Sequence, residues 1–189
     1  MKVVIVFHSV CGNTYLMAKK MYQVFQEKQK DVVLLRVEDK TLERMTTIMP
    51  AAKDYLDEIL ALPVATPEDL LDVDLVCMGS PTYFGNVSGQ MKTFMDSCGG
   101  LWVQGKFIGK KLVAFTSAGN SQGGGDQCLQ AILTYAQHMG MLGVSIPSNL
   151  VEGMDIPAYG LLHYSGSKSN NRLSQGEVLI RALVDYLVS

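Results

Sequence analysis

The four cysteines, Cys11, Cys77, Cys98 and Cys128, include no two within four residues of each other. Zinc ribbons and iron–sulfur runs are therefore unsupported. No metal site is expected, and free thiols in a reducing compartment are. Block charge is also lacking, and the formal net charge is only −2. That argues against nucleic acid as the main partner and against a strongly acidic electron carrier that docks on basic patches. No apolar run approaches the ~18–20 residues of a membrane span. The run that follows Met1-Lys2, Val3 to Phe7, is too short for a signal peptide, so a cytoplasmic protein is expected. His8, His138 and His163 lie far apart, and no Ser/His/Asp triad or pair of carboxylates is persuasive. The expectation is a protein without acid–base catalytic residues of its own.

What is present is a rhythm of strands and helices. With 189 residues, 48% hydrophobic and 18% charged, one domain is expected over the whole chain. Lys2–Phe7 is a continuous β-branched run typical of a parallel strand covered on both faces. Further strands are read at Asp31–Val37, Val73–Gly79, Lys111–Ser117 and Met141–Pro147. Helical stripes run from Thr14 to about Lys28, from Asn86 or Val87 onward with Asn86 as cap, from Asp126 to Met139, and from Gln175 to Val188. Ser174 and Glu177 form a capping box for the last one. Alternation of this kind implies an α/β fold, a doubly wound five-stranded parallel sheet of order 2-1-3-4-5 with helices on both faces. Two segments break the rhythm. Residues 38–72 hold an extra helix around Tyr55–Leu60 and a short one at Glu68–Leu71, and residues 148–173 form a long Gly-, Ser-, Asn- and Pro-bearing loop. Loops of that length are usually functional or partner-contacting, otherwise disordered.

In a sheet of this order the ligand crevice lies where the winding reverses, between strands 1 and 3. Three loops surround it, all polar, Gly-bearing and short of charge: Ser9–Thr14, Ser80–Asn86 and Ser117–Gly125. The first, with Ser9, Cys11, Gly12, Asn13 and Thr14, joins a strand to a helix, where N–H groups and hydroxyls can surround a phosphate. It lacks the Gly-Lys-Ser/Thr ending of a P-loop and the three-glycine dinucleotide spacing, which leaves a terminal monophosphate held by neutral donors. The alternative is an ordinary capped turn.

In the second loop Pro81 stiffens the backbone and Gly85 allows close approach, while Tyr83, Phe84 and the amide of Asn86 suit a flat heterocycle. Core packing is the alternative for Phe84. In the third, Ser117, Ala118, Gly119, Asn120 and Gly123 present backbone N–H groups that can stabilise an anionic ring edge, or else form a flexible glycine loop. His138 reads as a satisfied structural histidine or a ligand. Trp102, after Gly99-Gly-Leu101, reads as a stacking wall or a partly buried interface residue.

These residues carry a resemblance. Ile5-Val-Phe-His-Ser-Val-Cys-Gly-Asn-Thr14 is similar to the FMN-phosphate signature of flavodoxins. Gly79-Ser-Pro-Thr-Tyr-Phe-Gly-Asn-Val-Ser-Gly-Gln-Met-Lys-Thr-Phe94 and Gly99-Gly-Leu-Trp102 resemble the WrbA-type NAD(P)H:quinone oxidoreductases, as do Pro63-Val-Ala-Thr-Pro67, Gly123-Gly-Gly125 and His138-Met-Gly-Met141. The resemblance implies a flavodoxin-like fold, FMN, and two-electron reduction of quinones by NADH or NADPH in a ping-pong cycle through flavin N5. It also implies a homotetramer with active sites near subunit interfaces.

By position it assigns the phosphate to Ser9, Cys11, Gly12, Asn13 and Thr14, and the flavin ring to Thr82, Tyr83 and Phe84. The pyrimidine side falls to Ser117 through Gly123. His138 would reach the cofactor and Trp102 would wall the substrate site. Two positions depart from the family pattern: Tyr83 stands where Arg is usual, and Cys11 where an aromatic contacts nicotinamide. The alternatives are a one-electron flavodoxin-type carrier and a non-catalytic FMN-binding regulator.

Overall fold

Five of the six residues of β1 (Lys2–Phe7) are buried, as a central strand requires. The computed structural model describes residues 1–154, 156–166 and 174–189. After β1 come α1 (Asn13–Glu27), β2 (Asp31–Arg36), α2 (Leu42–Ile48), α3 (Leu56–Leu60), β3 (Leu75–Pro81), α4 (Gly89–Ser97) and α5 (Gly99–Val103). Then follow β4 (Lys111–Ala118), α6 (Gly125–His138), β5 (Leu142–Gly143), β6 (Leu161–Tyr164) and α7 (Ser174–Val188). The strands are parallel in the order β2-β1-β3-β4-β5, and the expected flavodoxin-like sheet is present. Alternating residues of β1 feed opposite faces. Val3, Ile5 and Phe7 pack beneath α1 and α7, while Val4 and Val6 pack with residues of α4 and α6.

Three expectations need correction. The fifth strand is not Met141–Pro147. β5 is two residues long and pairs Lys111 and Leu112 at the start of β4, whereas β6 pairs Phe115 to Ala118 at its end. The fifth position of the sheet is thus one strand interrupted by residues 144–160, because Pro147 and Pro157 cannot supply ladder N–H groups there. The helix after β3 begins at Gly89, not at Asn86 or Val87. Its cap is Ser88, whose Oγ accepts the Met91 N–H at 3.2 Å. Asn86 is occupied otherwise, since its side-chain oxygen accepts from Val87 N.

The third concerns residues 38–72, which hold α2 besides the expected α3 and a single-turn helix, Pro67–Leu70, closed by a Thr66/Asp69 capping box. The expected Ser174/Glu177 box lies outside the described residues, because the Ser174 side chain is not among them.

Candidate functional site

Three loops meet over the carboxyl ends of β1, β3 and β4 and enclose an open cleft of about 230 Å³. Ser9, Cys11, Asn13 and Thr14 line it from the first loop, and Pro81, Thr82 and Tyr83 from the second. Ser117, Ala118 and Gly119 line it from the third. Four further lining residues were not foreseen individually: Val10, Met49, Ser165 and Gly166. Met49 and the pair Ser165-Gly166 come from the two over-long segments, whose length was the available signal. None of the described lining residues carries a charge.

The start of α1 is left open toward this cleft. Gly12 stands at the N-cap with φ +91°, no side chain caps the helix, and no acidic residue sits in its first turn. A Cβ at Gly12 would lie 2.2 Å from the Tyr55 ring, so the loop is backed tightly by the 38–72 segment. Thr14 Oγ1 and Ser117 Oγ, both buried, are 2.8 Å apart and tie the first loop to the third. The side-chain oxygen of Asn13 is buried and has no partner among the described residues. Free N–H groups at a helix start and hydroxyls make a donor set suited to an anion, with the helix dipole adding roughly half a positive charge; the Asn13 side-chain oxygen only accepts and adds nothing to it. The arrangement fits the phosphate end of FMN.

The second loop is a tight hairpin. Tyr83 N–H donates to Asn86 O at 2.9 Å and Asn86 N–H returns to Tyr83 O at 3.0 Å. The two residues between them, Phe84 (φ +53°) and Gly85 (φ +76°), both have left-handed backbones. That is the type I′ pattern, in which glycine is at ease and a bulky residue is strained by roughly 1–2 kcal/mol. Phe84 is fully exposed, which removes the core-packing alternative. Gly85 abuts the third loop so closely that a Cβ on Gly124 would be 2.7 Å from its Cα. Thr82 is tied to β4 through its N–H to Ser117 O and its hydroxyl to Thr116, each at 2.8 Å. In the third loop Asn120 is used locally, accepting from Gln122 N at its side chain and from Gly123 N at its carbonyl.

Beneath the cleft lies a pair that sequence reading missed. His8 Nε2 is 3.0 Å from Asp39 Oδ2, and both side chains are 2% exposed. Asp39 Oδ1 also accepts from the N–H and hydroxyl of Thr41. Burial pushes the Asp39 carboxyl up, but these bonds from His8 and Thr41 outweigh it and hold the group well below the usual carboxylate range. Nearby, burial above all, with Cys11 and Asp39 adding, pushes the Tyr83 phenol up to about 12. Burial and Asp54 push the Cys11 thiol up, so it is protonated near neutrality and is no thiolate nucleophile.

Trp102 and His138 are not in this cleft. α6 starts beside the third loop and runs away from it, so His138 at its far end lies about 20 Å off along the helix. Trp102 is there too, its Nε1–H donating to His138 O at 2.8 Å. Half of Trp102 is exposed, and Val103, Ile108 and Leu142 are exposed with it. Among the described residues no cluster of His, Cys, Asp or Glu could hold a metal, and no helix is long and apolar enough to cross a membrane.

Comparison with known proteins agrees with this geometry. A family model described as NADPH-dependent FMN reductase matches residues 1–152. An NAD(P)H dehydrogenase (quinone) of Geobacter metallireducens is 32% identical over 184 residues, which cover 94% of this chain and 91% of that protein. A second, of Geobacter sulfurreducens, is 34% identical over 147 residues, covering 78% and 72%. Among solved structures, a WrbA-like flavodoxin of Agrobacterium tumefaciens aligns over 98% of this chain and 96% of its own with a TM-score of 0.61, at 18% identity. A flavodoxin of Bacillus cereus has the same TM-score at 17% identity. These two speak for the fold alone. Taken with the helix start that no side chain caps and the uncharged cleft above it, the matches place the chain in the NADPH-dependent FMN reductase family, with the NAD(P)H dehydrogenases (quinone).

Proposed function

We propose that the protein is an FMN-dependent NAD(P)H:quinone oxidoreductase. One observation carries the reading within the structure: an open helix start and a set of neutral donors at the mouth of a flavodoxin-like sheet. When bound there, FMN supplies hydride acceptance at N5 from NAD(P)H and hydride delivery to a quinone, in ping-pong alternation. Ser9, Gly12, Asn13 and Thr14 hold the phosphate, with Cys11 at its edge. Thr82, Tyr83 and Phe84 bear on the ring, positioned by Pro81, Gly85 and Asn86. Ser117, Ala118, Gly119, Asn120 and Gly123 follow its pyrimidine side. The chain contributes orientation and exclusion of water, and no acid or base to the hydride transfer itself. Tyr83 and Cys11 alter the surface that nicotinamide meets.

Trp102 and His138 reach a flavin only across an interface, so the quinone wall is built by a second copy of the chain in a homotetramer. The support for this is their distance from the chain's own cleft and the exposed Trp102, Val103, Ile108 and Leu142 around them. A cytoplasmic setting belongs to the same reading. The test is turnover. Flavin-loaded protein should oxidise NADH or NADPH at a rate set by added benzoquinone. A one-electron carrier is the second reading, favoured by the flavodoxins of the same fold. It requires reductive titration to proceed in two resolved one-electron stages, whereas the enzyme passes directly to the two-electron state.

A further inference from the structure

His163 is a base that the function above leaves unused. It lies on β6, opposite Ser117 in the parallel register. Side chains alternate along a strand. Leu161 packs into the core beneath α1 and α7, and Leu162 lies against Gly125 on the other face. His163 therefore shares the α1 face with Ser117, one strand over from the Thr14–Ser117 hydrogen bond. Two and three residues on, Ser165 and Gly166 line the cleft itself.

The Nε2 atom of His163 is buried and has no hydrogen-bond partner among the described residues. A charged ring would direct a buried N–H at nothing, and burial accordingly pushes its proton affinity down, with no charged group contributing. Ionisable groups on α1 and at the end of β1 are engaged elsewhere. Lys20 of α1 pairs with Glu177 of α7 at 3.2 Å, Tyr15 of α1 bonds Glu58, and His8 is held by Asp39. Tyr164, next on β6, faces the side of Asp126. β4 contributes only hydroxyls at this end, Thr116 and Ser117. His163 does not itself line the cleft, but an anion there, on the far side of Ser117, supplies the opposite charge, which favours the protonated form.

We infer that His163 takes up a proton from solvent when a phosphomonoester enters the loop at the start of α1, so that FMN binding is pH-linked and riboflavin binding is not. The inference rests on the flavin reading and deepens it by naming the group that answers the phosphate charge. The chemistry recognised is a phosphomonoester dianion on a flavin.

The test is calorimetric titration of the full chain, freed of flavin, with FMN and with riboflavin. Buffers of different ionisation enthalpy at pH 7 give the proton count. Wild type should take up a substantial fraction of one proton with FMN and none with riboflavin. Its FMN affinity should fall by up to about tenfold per pH unit on the alkaline side. His163→Gln should bind riboflavin as wild type does, which reports an intact cleft, while proton uptake with FMN drops to the phosphate's own share and the pH dependence flattens. His163→Asn, a shorter neutral replacement, should behave alike. Equal uptake in wild type and His163→Gln overturns the role of His163 and leaves the flavin reading standing. Wild type that binds neither flavin overturns both.

Discussion

Thr14 Oγ1 and Ser117 Oγ meet at 2.8 Å although 103 residues separate them in sequence. The contact joins the start of α1 to the end of β4 and closes one wall of the cleft. Both residues line the cleft, where the proposed reading puts the phosphate beside Thr14. Thr14→Val should therefore weaken FMN binding by about 10–100-fold, the value of one hydrogen bond to a charged group. Riboflavin binding should change little. Quenching of flavin fluorescence on titration measures both.

Gly12 answers a different requirement. Its φ is +91°, and a Cβ there would stand 2.2 Å from the Tyr55 ring, so there is no room for a side chain. Gly12→Val should yield protein without flavin, measured as the yellow absorbance of flavin per mole of chain. Full flavin content in that variant would remove the phosphate assignment.

The His8–Asp39 pair makes a prediction in pH. Asp39 is held below the ordinary carboxylate value, so its stabilisation is fully present above about pH 4, where the unfolded group ionises. It is lost as pH falls below that. Asp39→Ala leaves His8 buried without its partner and should cost about 3–5 kcal/mol at pH 7, read by urea unfolding. The gap between variant and wild type should narrow as pH drops below about 4.

Phe84 carries a backbone strain that the proposed flavin contact would offset. In a left-handed backbone and fully exposed, it stabilises nothing in the chain itself. Phe84→Gly should raise the stability of flavin-free protein by roughly 1 kcal/mol while weakening flavin binding. Unchanged FMN affinity together with the gain in stability would take Phe84 off the ring.

Trp102 tests the proposed interface separately from the cleft. Trp102→Ala should leave FMN uptake intact, because the side chain lies at the far end of α6. It should raise the KM for quinone and reduce the assembled state seen by size-exclusion chromatography with light scattering. A quinone KM unchanged in a fully assembled variant would detach Trp102 from the substrate site.

The sheet order was legible because each central strand carries a continuous apolar run, and the three loops because small polar residues follow each run. The interrupted fifth strand was not. Leu142-Gly143 alone is too short to read as a strand, and the stretch Leu161–Tyr164 that completes it follows a long irregular segment. The helix start after β3 was misplaced by two residues because Asn86 and Ser88 are both good caps, and only the hairpin through Tyr83 and Asn86 decides between them. The His8–Asp39 pair had a signal that pattern reading passed over. Both residues follow the carboxyl ends of adjacent parallel strands, with Phe7 opposite Arg36. The distance of Trp102 and His138 from the cleft could not be read from spacing, because it depends on the direction in which α6 runs.

The most direct test is the flavin content and turnover of the purified chain. The account requires a yellow protein with one FMN per chain that oxidises NADH or NADPH in step with quinone reduction. A colourless protein that takes up no FMN from excess, and shows no quinone-dependent oxidation of either nucleotide, would contradict it.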